Sequence, residues 1–237
     1  MVSSTVSRET TPGGGLGEAE ILTQGAARLG FEISPGQAVQ LLAYLQLLRR
    51  WNQKIQLIGP ASPLEEVVLH LLDSLAALES LGPHPGRLLD LGSGAGLPGL
   101  PLKICRPDWE YTLVESRDKK AAFIRQAVRS LALDQVRVLV TRAGQAGDGL
   151  PRAAFDLVTA RALGSLREVL SLAAPYLKPG GRCLAYKGPG LDQELGEAAA
   201  TIASLGLIEI QRREFTLPFL NRSRTLILFE LAPAAER

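Results

Sequence analysis

Apolar residues in the first third of the chain recur at intervals of three and four, the spacing of an amphipathic helix. Those between Ala38 and Leu48 follow Ser34-Pro35, a pair typical of a helix N-cap and first helical position. The capping box Ser62-Pro63-Leu64-Glu65 precedes a second apolar series. These signals predict a cap of about three helices over residues 18–81. Residues 1–17, rich in Ser, Thr and Gly, are expected to form a flexible tail.

Beyond residue 86 short apolar runs alternate with helix-length stretches, a rhythm typical of βαβ units in a mostly parallel sheet. The predicted strands are Arg87–Leu91, Tyr111–Glu115, Val136–Thr141, Phe155–Thr159 and Gly181–Lys187. The predicted helices are Leu97–Cys105, Arg117–Leu131, Leu166–Leu177 and Asp192–Leu205. The last two runs, Leu207–Phe215 and Thr225–Leu231, have no helix between them and predict an antiparallel hairpin at the sheet edge. The α/β core is therefore expected over residues 87–231.

A glycine-rich loop follows the first predicted strand and opens a helix. Gly92, Gly94 and Gly96 would let the backbone turn tightly and approach a ligand without clashes from Cβ atoms. Glu115 ends the next strand, where a carboxylate can accept hydrogen bonds from both hydroxyls of a ribose. Since ligands of open α/β sheets sit at the carboxyl ends of the strands, this pattern predicts an adenosine-containing ligand.

The residues allow two interpretations of that ligand, a dinucleotide such as NAD or S-adenosylmethionine. Gly94-x-Gly96-x-x-Gly99 matches the dinucleotide-binding fingerprint, although that match alone is weak. Asp90, just before the loop, would repel a pyrophosphate but attract an ammonium group. Pro98 removes an N–H where a phosphate would seek donors. S-adenosylmethionine, which carries an ammonium group, therefore fits better than NAD, and a purely structural glycine turn is the remaining alternative.

Composition excludes several classes of protein. Two cysteines and two histidines are too few for a disulfide scaffold or a multi-ligand metal centre, so we expect no metal. No apolar run approaches the roughly 18 residues that span a bilayer, and the first residues lack the apolar core of a secretory signal. We therefore expect a cytoplasmic protein without a membrane partner. The net charge of +2 neither indicates nor excludes a nucleic-acid partner.

Six segments of the sequence match the motifs of a known family: Arg50-Trp51-Asn52, His70-Leu71-Leu72-Asp73-Ser74-Leu75, the loop from Asp90 to Gly99, Glu115-Ser116, Arg161-Ala162 and Lys187-Gly188. In these segments the sequence resembles the RsmG (GidB) family of bacterial methyltransferases, which modify N7 of a guanine in small-subunit (16S) ribosomal RNA. The resemblance implies a Rossmann-like class I methyltransferase fold with S-adenosylmethionine as cofactor. It also implies ribosomal RNA or the small ribosomal subunit as partner, and we expect a monomer.

Carried over to this chain, the resemblance implies specific cofactor contacts. Gly92 and Leu97 would touch the cofactor from the loop, and Ala143 and Gly144 would flank its adenine. Arg161, at the end of the fourth strand, would lie beside the cofactor and the incoming base, which makes it the candidate catalytic residue. The complete set of expected cofactor contacts is Asp90, Gly92, Gly94, Gly96, Leu97, Glu115, Ala143, Gly144 and Arg161. The chain departs from the usual family residues at Gln56, Leu69 and Gly144.

The chemistry implied by the family is a positioning problem. Guanine N7 carries a free lone pair, so its methylation needs alignment rather than a general base. The residues expected to face RNA are His70, Asp73, Arg142, Lys187 and Arg224. His70 and Asp73 lie one helical turn apart and could pair with each other or fix the cap against the loop. Lys187 has two readings, a phosphate contact or a solvated lysine.

Other arginines and lysines could contact RNA phosphates or could be solvated surface residues. Arg212, Arg213 and Arg222 would join Lys187 in a phosphate footprint if all share one face. The run from Arg117 to Arg129 on one predicted helix is more typical of a solvated helix face. Two rival functions remain open at this point: a methyltransferase for a small molecule or protein, and a non-catalytic nucleoside sensor that binds the ribosome.

Overall fold

A computed structural model describes residues 16–233, so the predicted tail lies outside the described residues except for Leu16 and Gly17. The helical cap consists of α1 (Glu18–Arg28), α2 (Pro35–Asn52), α3 (Pro63–Glu66), a π-helical segment (Val67–Leu72), α4 (Asp73–Leu75) and a 3-10 turn (Leu78–Leu81). The Ser34 and Ser62 hydroxyls accept hydrogen bonds from the N–H groups three residues later. This confirms the N-cap predicted at Ser34 and the capping box predicted at Ser62, and Ser34 forms a capping box as well. Both helices thus begin where the sequence predicted.

The π-helical segment between α3 and α4 was not predicted. Its hydrogen bonds skip one more residue than those of an α-helix, and such bulges occur often at functional sites. Val67, Val68, Leu71 and Leu72 are all buried within it. An apolar series of this kind fits either helix type, so the sequence pattern could not distinguish them.

One seven-stranded sheet forms the core, in the order β3-β2-β1-β4-β5-β7-β6. Its strands are β1 (Arg87–Leu91), β2 (Glu110–Glu115), β3 (Val136–Val140), β4 (Phe155–Arg161), β5 (Leu177–Lys187), β6 (Leu207–Thr216) and β7 (Ser223–Leu231). The first five are parallel, and β7 runs antiparallel to both of its neighbours. This confirms the mostly parallel sheet with its antiparallel hairpin at the edge. Strand order reverses between β1 and β4, the position where such sheets bind ligands.

Four helices connect or flank the strands: α5 (Gly99–Cys105), α6 (Asp118–Ser130), α7 (Leu166–Ala173) and α8 (Leu191–Leu205). Several boundaries differ from the prediction by one or two residues, and β5 begins four residues earlier than predicted, at Leu177. Two of the differences have a clear physical reason. Strand β4 continues to Arg161 because its last residues still pair with β5. Helix α7 ends at Ala173 because Pro175, in the following 3-10 turn, lacks the N–H that would continue the helix.

The cap and the sheet share one hydrophobic core. Leu41, Leu45 and Leu72 of the cap belong to the same buried cluster as Leu113 of β2 and Phe123 of α6. Helices α7 and α8 pack in a second cluster on the opposite face of the sheet. The cap therefore packs directly on the layer that carries the glycine loop.

Candidate functional site

The glycine loop adopts backbone conformations that favour glycine. Gly92, Gly94 and Gly96 have φ angles of 65°, 58° and 80°. A Cβ on Gly92 would lie 2.5 Å from Leu163 Cδ1, whereas a Cβ on Gly94 would meet nothing closer than 3.8 Å. The space beside Gly94 is therefore open, and glycine is required there by its φ angle as well as by any ligand.

Asp90 lies beneath the loop and does not face the open space. Its carboxylate is fully buried and accepts hydrogen bonds from Thr159 Oγ1 (2.9 Å) and from the Gly99 N–H (3.2 Å). Burial raises the pKa of this carboxyl to about 6, against the opposing effect of its hydrogen bonds. The structure thus gives Asp90 the role of bracing the loop. Its predicted contact with a cofactor ammonium stays a prediction, and would require the loop to open.

Glu115, at the end of β2, also holds the loop. Its Oε2 accepts a hydrogen bond from the Gly94 N–H (2.9 Å), and its Oε1 accepts one from the Arg117 N–H (2.8 Å). Each carboxylate oxygen can accept a second bond, so acceptor sites remain for a ribose. The ribose contact stays a prediction, and the loop contact adds a role that the sequence did not indicate.

Tyr44 of α2 connects the cap to the loop. Its hydroxyl donates a hydrogen bond to the Ala95 carbonyl at 2.7 Å, and its side chain is fully buried. Burial raises the pKa of this hydroxyl far above its usual value, so it remains a donor. Sequence reasoning missed this residue because a tyrosine within the apolar series of α2 has the pattern of an ordinary core residue.

Two grooves meet at the carboxyl edge of the sheet. The first, here called the loop groove, has a volume of about 250 Å³ and is lined by Leu57, Ile58, Gly59, His70, Gly92, Ser93, Gly94, Ala95, Leu97, Lys120, Arg161 and Ala162. The second, the arginine groove, has a volume of about 410 Å³ and is lined by Leu69, His70, Asp73, Arg161, Ala162, Tyr186, Lys187, Gly188 and Arg224. His70, Arg161 and Ala162 line both, and Ala162 has a φ of 55°, a strained value for a residue with a side chain.

Arg161 projects from the end of β4 to the junction of the two grooves. Its Nη1 donates to the Leu69 carbonyl (3.0 Å), and lies 3.3 Å from Ser74 Oγ and 3.4 Å from Asp73 Oδ2. Its Nε and Nη2 form no hydrogen bond with the part of the chain that the structure describes. A guanidinium held at one nitrogen keeps donors available for a ligand.

Of the two arrangements left open for His70 and Asp73, the structure does not form the direct pair between their side chains. Asp73 is 4% exposed and is the common partner of Arg161 and of Arg224, whose Nε lies 3.3 Å from Asp73 Oδ1. The buried His70 Nε2 has no hydrogen-bond partner among residues 16–233, and Asp73 Oδ1 has only the ion pair. Burial, with the Arg161 charge, lowers the pKa of His70 to about 4, so the imidazole is neutral near pH 7.

Lys187 is not a solvated lysine, because its ammonium group is held by partners within the protein, and its contact with a phosphate stays a prediction. It is 8% exposed, and its Nζ lies 2.6 Å from Glu194 Oε2 and 2.9 Å from the Gly164 carbonyl. The other members of the expected footprint are also engaged. Arg212 pairs with Glu209 and Asp192, Arg222 pairs with Glu65, and Arg213 donates to the Ala76 and Leu29 carbonyls. Four members of the expected footprint, Lys187, Arg212, Arg213 and Arg222, therefore have partners within the protein, and their contact with RNA phosphates stays a prediction.

Arg142, Ala143 and Gly144 line a third groove, of about 890 Å³, on the other side of Leu163. The Gly144 N–H donates to Tyr176 Oη (2.6 Å) and Asp148 Oδ2 (3.0 Å). This backbone donor is therefore already bonded within the protein and is not available to an adenine. Gly144 has a φ of 85°, and a Cβ would lie 2.7 Å from Leu172 Cδ1. Glycine therefore fits this backbone without strain. The adenine contact of Ala143 and Gly144 stays a prediction.

Two further properties of the described residues concern metal ligands and membrane-spanning helices. Within residues 16–233, no group of three or more His, Cys, Asp or Glu side chains is placed to hold a metal ion. No helix in the same range combines the length and apolarity needed to cross a bilayer. What the site offers is a glycine loop, two grooves and an arginine at their junction.

Solved structures of low sequence identity share the fold. A geranyl diphosphate C-methyltransferase from Streptomyces coelicolor A3(2), in complex with S-adenosyl-L-homocysteine, superimposes with a TM-score of 0.56 at 17% identity, covering 80% of this chain and 98% of that one. A precorrin-6y C5,15-methyltransferase from Geobacter metallireducens GS-15 gives 0.51 at 18% identity, covering 75% and 91%. The core therefore has a class I methyltransferase fold.

Curated relatives match over most of their length. Ribosomal RNA small subunit methyltransferase G from Roseiflexus castenholzii is 39% identical over 209 residues, 88% of this chain and 89% of the relative. Its namesake from Alkaliphilus metalliredigens is 35% identical over 212 residues, 89% of each. The sequence model of the GidB family, described as rRNA small subunit methyltransferase G, matches residues 37–223. The chain belongs to this family of S-adenosylmethionine-dependent methyltransferases.

Proposed function

We propose that this protein transfers a methyl group from S-adenosylmethionine to N7 of a guanine in small-subunit ribosomal RNA. The observation that carries the proposal is the junction of the loop groove and the arginine groove at His70, Arg161 and Ala162. A cofactor in one groove and a base in the other would meet there. The printed names of the relatives supply the RNA substrate, and the grooves supply a place for the reaction.

The loop groove fits the cofactor. Gly94 leaves open space, and Gly92, Gly96 and Leu97 shape the turn around it. Glu115 stands at the next strand end, where its free acceptor sites suit a ribose. The bound cofactor would supply a methyl group on a positively charged sulfur. The protein's part is to hold that group against the junction and to keep water out.

The arginine groove fits a guanine. His70 Nε2 and Asp73 Oδ1 lack hydrogen-bond partners among the described residues, and buried polar atoms of that kind favour a ligand that satisfies them. The Watson–Crick edge of guanine carries N–H donors that a carboxylate and a neutral imidazole can accept. The lone pair of N7 would form the new bond to carbon while the carbon–sulfur electrons return to sulfur. No proton moves, so these side chains only position the base.

Glu115→Ala is expected to weaken S-adenosylmethionine binding by about 1.5–3 kcal/mol, the scale of hydrogen bonds to a charged group. The variant loses the ribose acceptor and releases the Gly94 N–H. Calorimetric titration measures the change, and Glu110→Ala, at the exposed start of the same strand, is the control. Unchanged affinity in a folded Glu115 variant would remove this residue from the cofactor site.

Transfer of a labelled methyl group to purified small-subunit ribosomal RNA tests the proposed function. Mass spectrometry of a nuclease digest should find the label in 7-methylguanosine. Label in a small molecule or protein instead of RNA would favour a methyltransferase for such a substrate. Bound cofactor without any transfer would favour a non-catalytic nucleoside sensor. We also expect a monomer, and a ribosomal substrate supports a cytoplasmic location. Sedimentation with and without RNA checks the monomer.

A further inference from the structure

Lys187, Arg212, Arg222 and Arg224 are engaged in ion pairs, so unpaired cations elsewhere on the protein have more donors available for phosphates. Five of the basic side chains that form no ion pair with any described residue lie at the end of α2 and the start of α6. This cluster, here called the basic face, consists of Arg50, Lys54, Arg117, Lys119 and Lys120. Four of the five are exposed, and Lys120 is partly exposed. They retain their donors for a ligand.

The two parts of the basic face lie side by side. Trp51 of α2 packs edge-on against Phe123 of α6, with ring centroids 5.8 Å apart. Arg50 and Lys54 flank Trp51 along the chain, and Lys119 and Lys120 precede Phe123 by about one helical turn, on its side of the helix. The contact between the two aromatic rings therefore brings both sets of cations to one surface.

The basic face borders the loop groove. Helix α6 follows β2, so its first turn lies at the carboxyl edge of the sheet. Lys120 lines the loop groove, and so do Leu57 and Gly59 from the segment that leaves α2. A polyanion lying across this face would reach the mouth of the proposed reaction site.

Carboxylates near this face are few. Helix α2 contains no acidic residue, and Asp118 is the single one in α6. A fourth groove, of about 580 Å³, lies on the basic face itself. It is lined by Arg50 and Lys54 together with Leu47, Trp51 and Ile55. Positive charge over an apolar floor suits the phosphates and sugars of RNA, and clustered cations raise the local concentration of a polyanion.

We propose that the basic face docks the phosphate backbone of the substrate RNA beside the target base. The inference rests on the proposed function for the identity of the RNA. A basic ribosomal protein would be repelled by the same charges, so the RNA itself is the occupant that the charge distribution favours. These phosphate contacts would contribute affinity and orient the RNA, while the loop groove and the arginine groove would select the base.

The test replaces one cation from each helix, in the double variant Lys54→Gln/Lys119→Gln. Neither side chain lines the loop groove, so S-adenosylmethionine affinity should not change. RNA binding is measured with purified small-subunit ribosomal RNA across a salt series. Each lost phosphate contact lowers the slope of log affinity against log salt by about one, so the double variant should lose about two.

The matched control is Arg137→Gln/Arg182→Gln, which removes two cations from the first half of β3 and the middle of β5, away from the carboxyl edge. Neither arginine forms an ion pair with the described residues. The salt slope of RNA binding by this double variant should equal that of the wild type. Equal slopes for the two double variants would overturn the inference. A defect confined to whole small subunits, absent with bare RNA, would also overturn it by indicating a protein contact. Methylation by the wild type in the same assay reports separately on the proposed function.

Discussion

Asp73→Ala is expected to lower the free energy of unfolding by about 3 kcal/mol and to abolish methyl transfer. The Asp73 carboxylate is buried, and it is the shared anion of Arg161 and Arg224. Removing it leaves two guanidinium groups side by side without compensation. The cost should lie at the low end of the range for buried pairs because both arginines reach water. Urea unfolding and labelled methyl transfer measure the two effects.

Glu79→Ala is the control for the loss of stability. Glu79 belongs to the same cap and lies 3.8 Å from Arg213, but its side chain is 71% exposed, so its removal should cost less than about 1 kcal/mol. Asp73→Asn keeps the shape and one acceptor, and should recover part of the stability but little of the activity. Full activity in a folded Asp73→Asn variant would contradict the proposed contact between this carboxylate and the base.

Arg161→Ala is expected to reduce methyl transfer by about 100-fold or more, the size of effect produced by small misplacements at a reaction centre. S-adenosylmethionine affinity should fall much less, because the contacts proposed for the glycine loop and Glu115 do not involve this side chain. Single-turnover methyl transfer and calorimetric titration separate the two quantities.

Arg224→Ala is the matched control, since Arg224 also pairs with Asp73 but lines only the arginine groove. Its loss should reduce methyl transfer less than the loss of Arg161. If both variants lose activity equally, Arg161 has no special place at the junction. If Arg161→Ala instead loses cofactor binding in proportion to activity, the residue belongs to the cofactor site alone.

The fold could be predicted from the sequence because its signals are local. Apolar spacing, the capping residues Ser34 and Ser62, and the alternation of runs after residue 86 each constrain a few consecutive positions. The glycine loop was predictable for the same reason. Its position after β1, beside Glu115, follows from the order of strands in a parallel sheet.

The state of each charged side chain could not be predicted, because it depends on partners far along the chain. Arg161 contacts Asp73 across 88 positions, and Tyr44 contacts the loop across 51. The Lys187 pair with Glu194 spans only seven residues, but it depends on how the loop after β5 folds back. A cation that is free in one arrangement is paired in another, and the local sequence is the same in both.

The hydrogen bond from Tyr44 to Ala95 joins the cap to the loop at which we propose that the cofactor binds. A ligand that fixes the glycine loop also fixes the acceptor of that bond, and so favours the docked position of α2. Linkage of this kind is reciprocal, so whatever holds α2 in place must tighten the grip on the cofactor by the same factor. RNA that docks on the end of α2 would therefore raise cofactor affinity from a distance, and the enzyme would hold its methyl donor most firmly when its substrate is present.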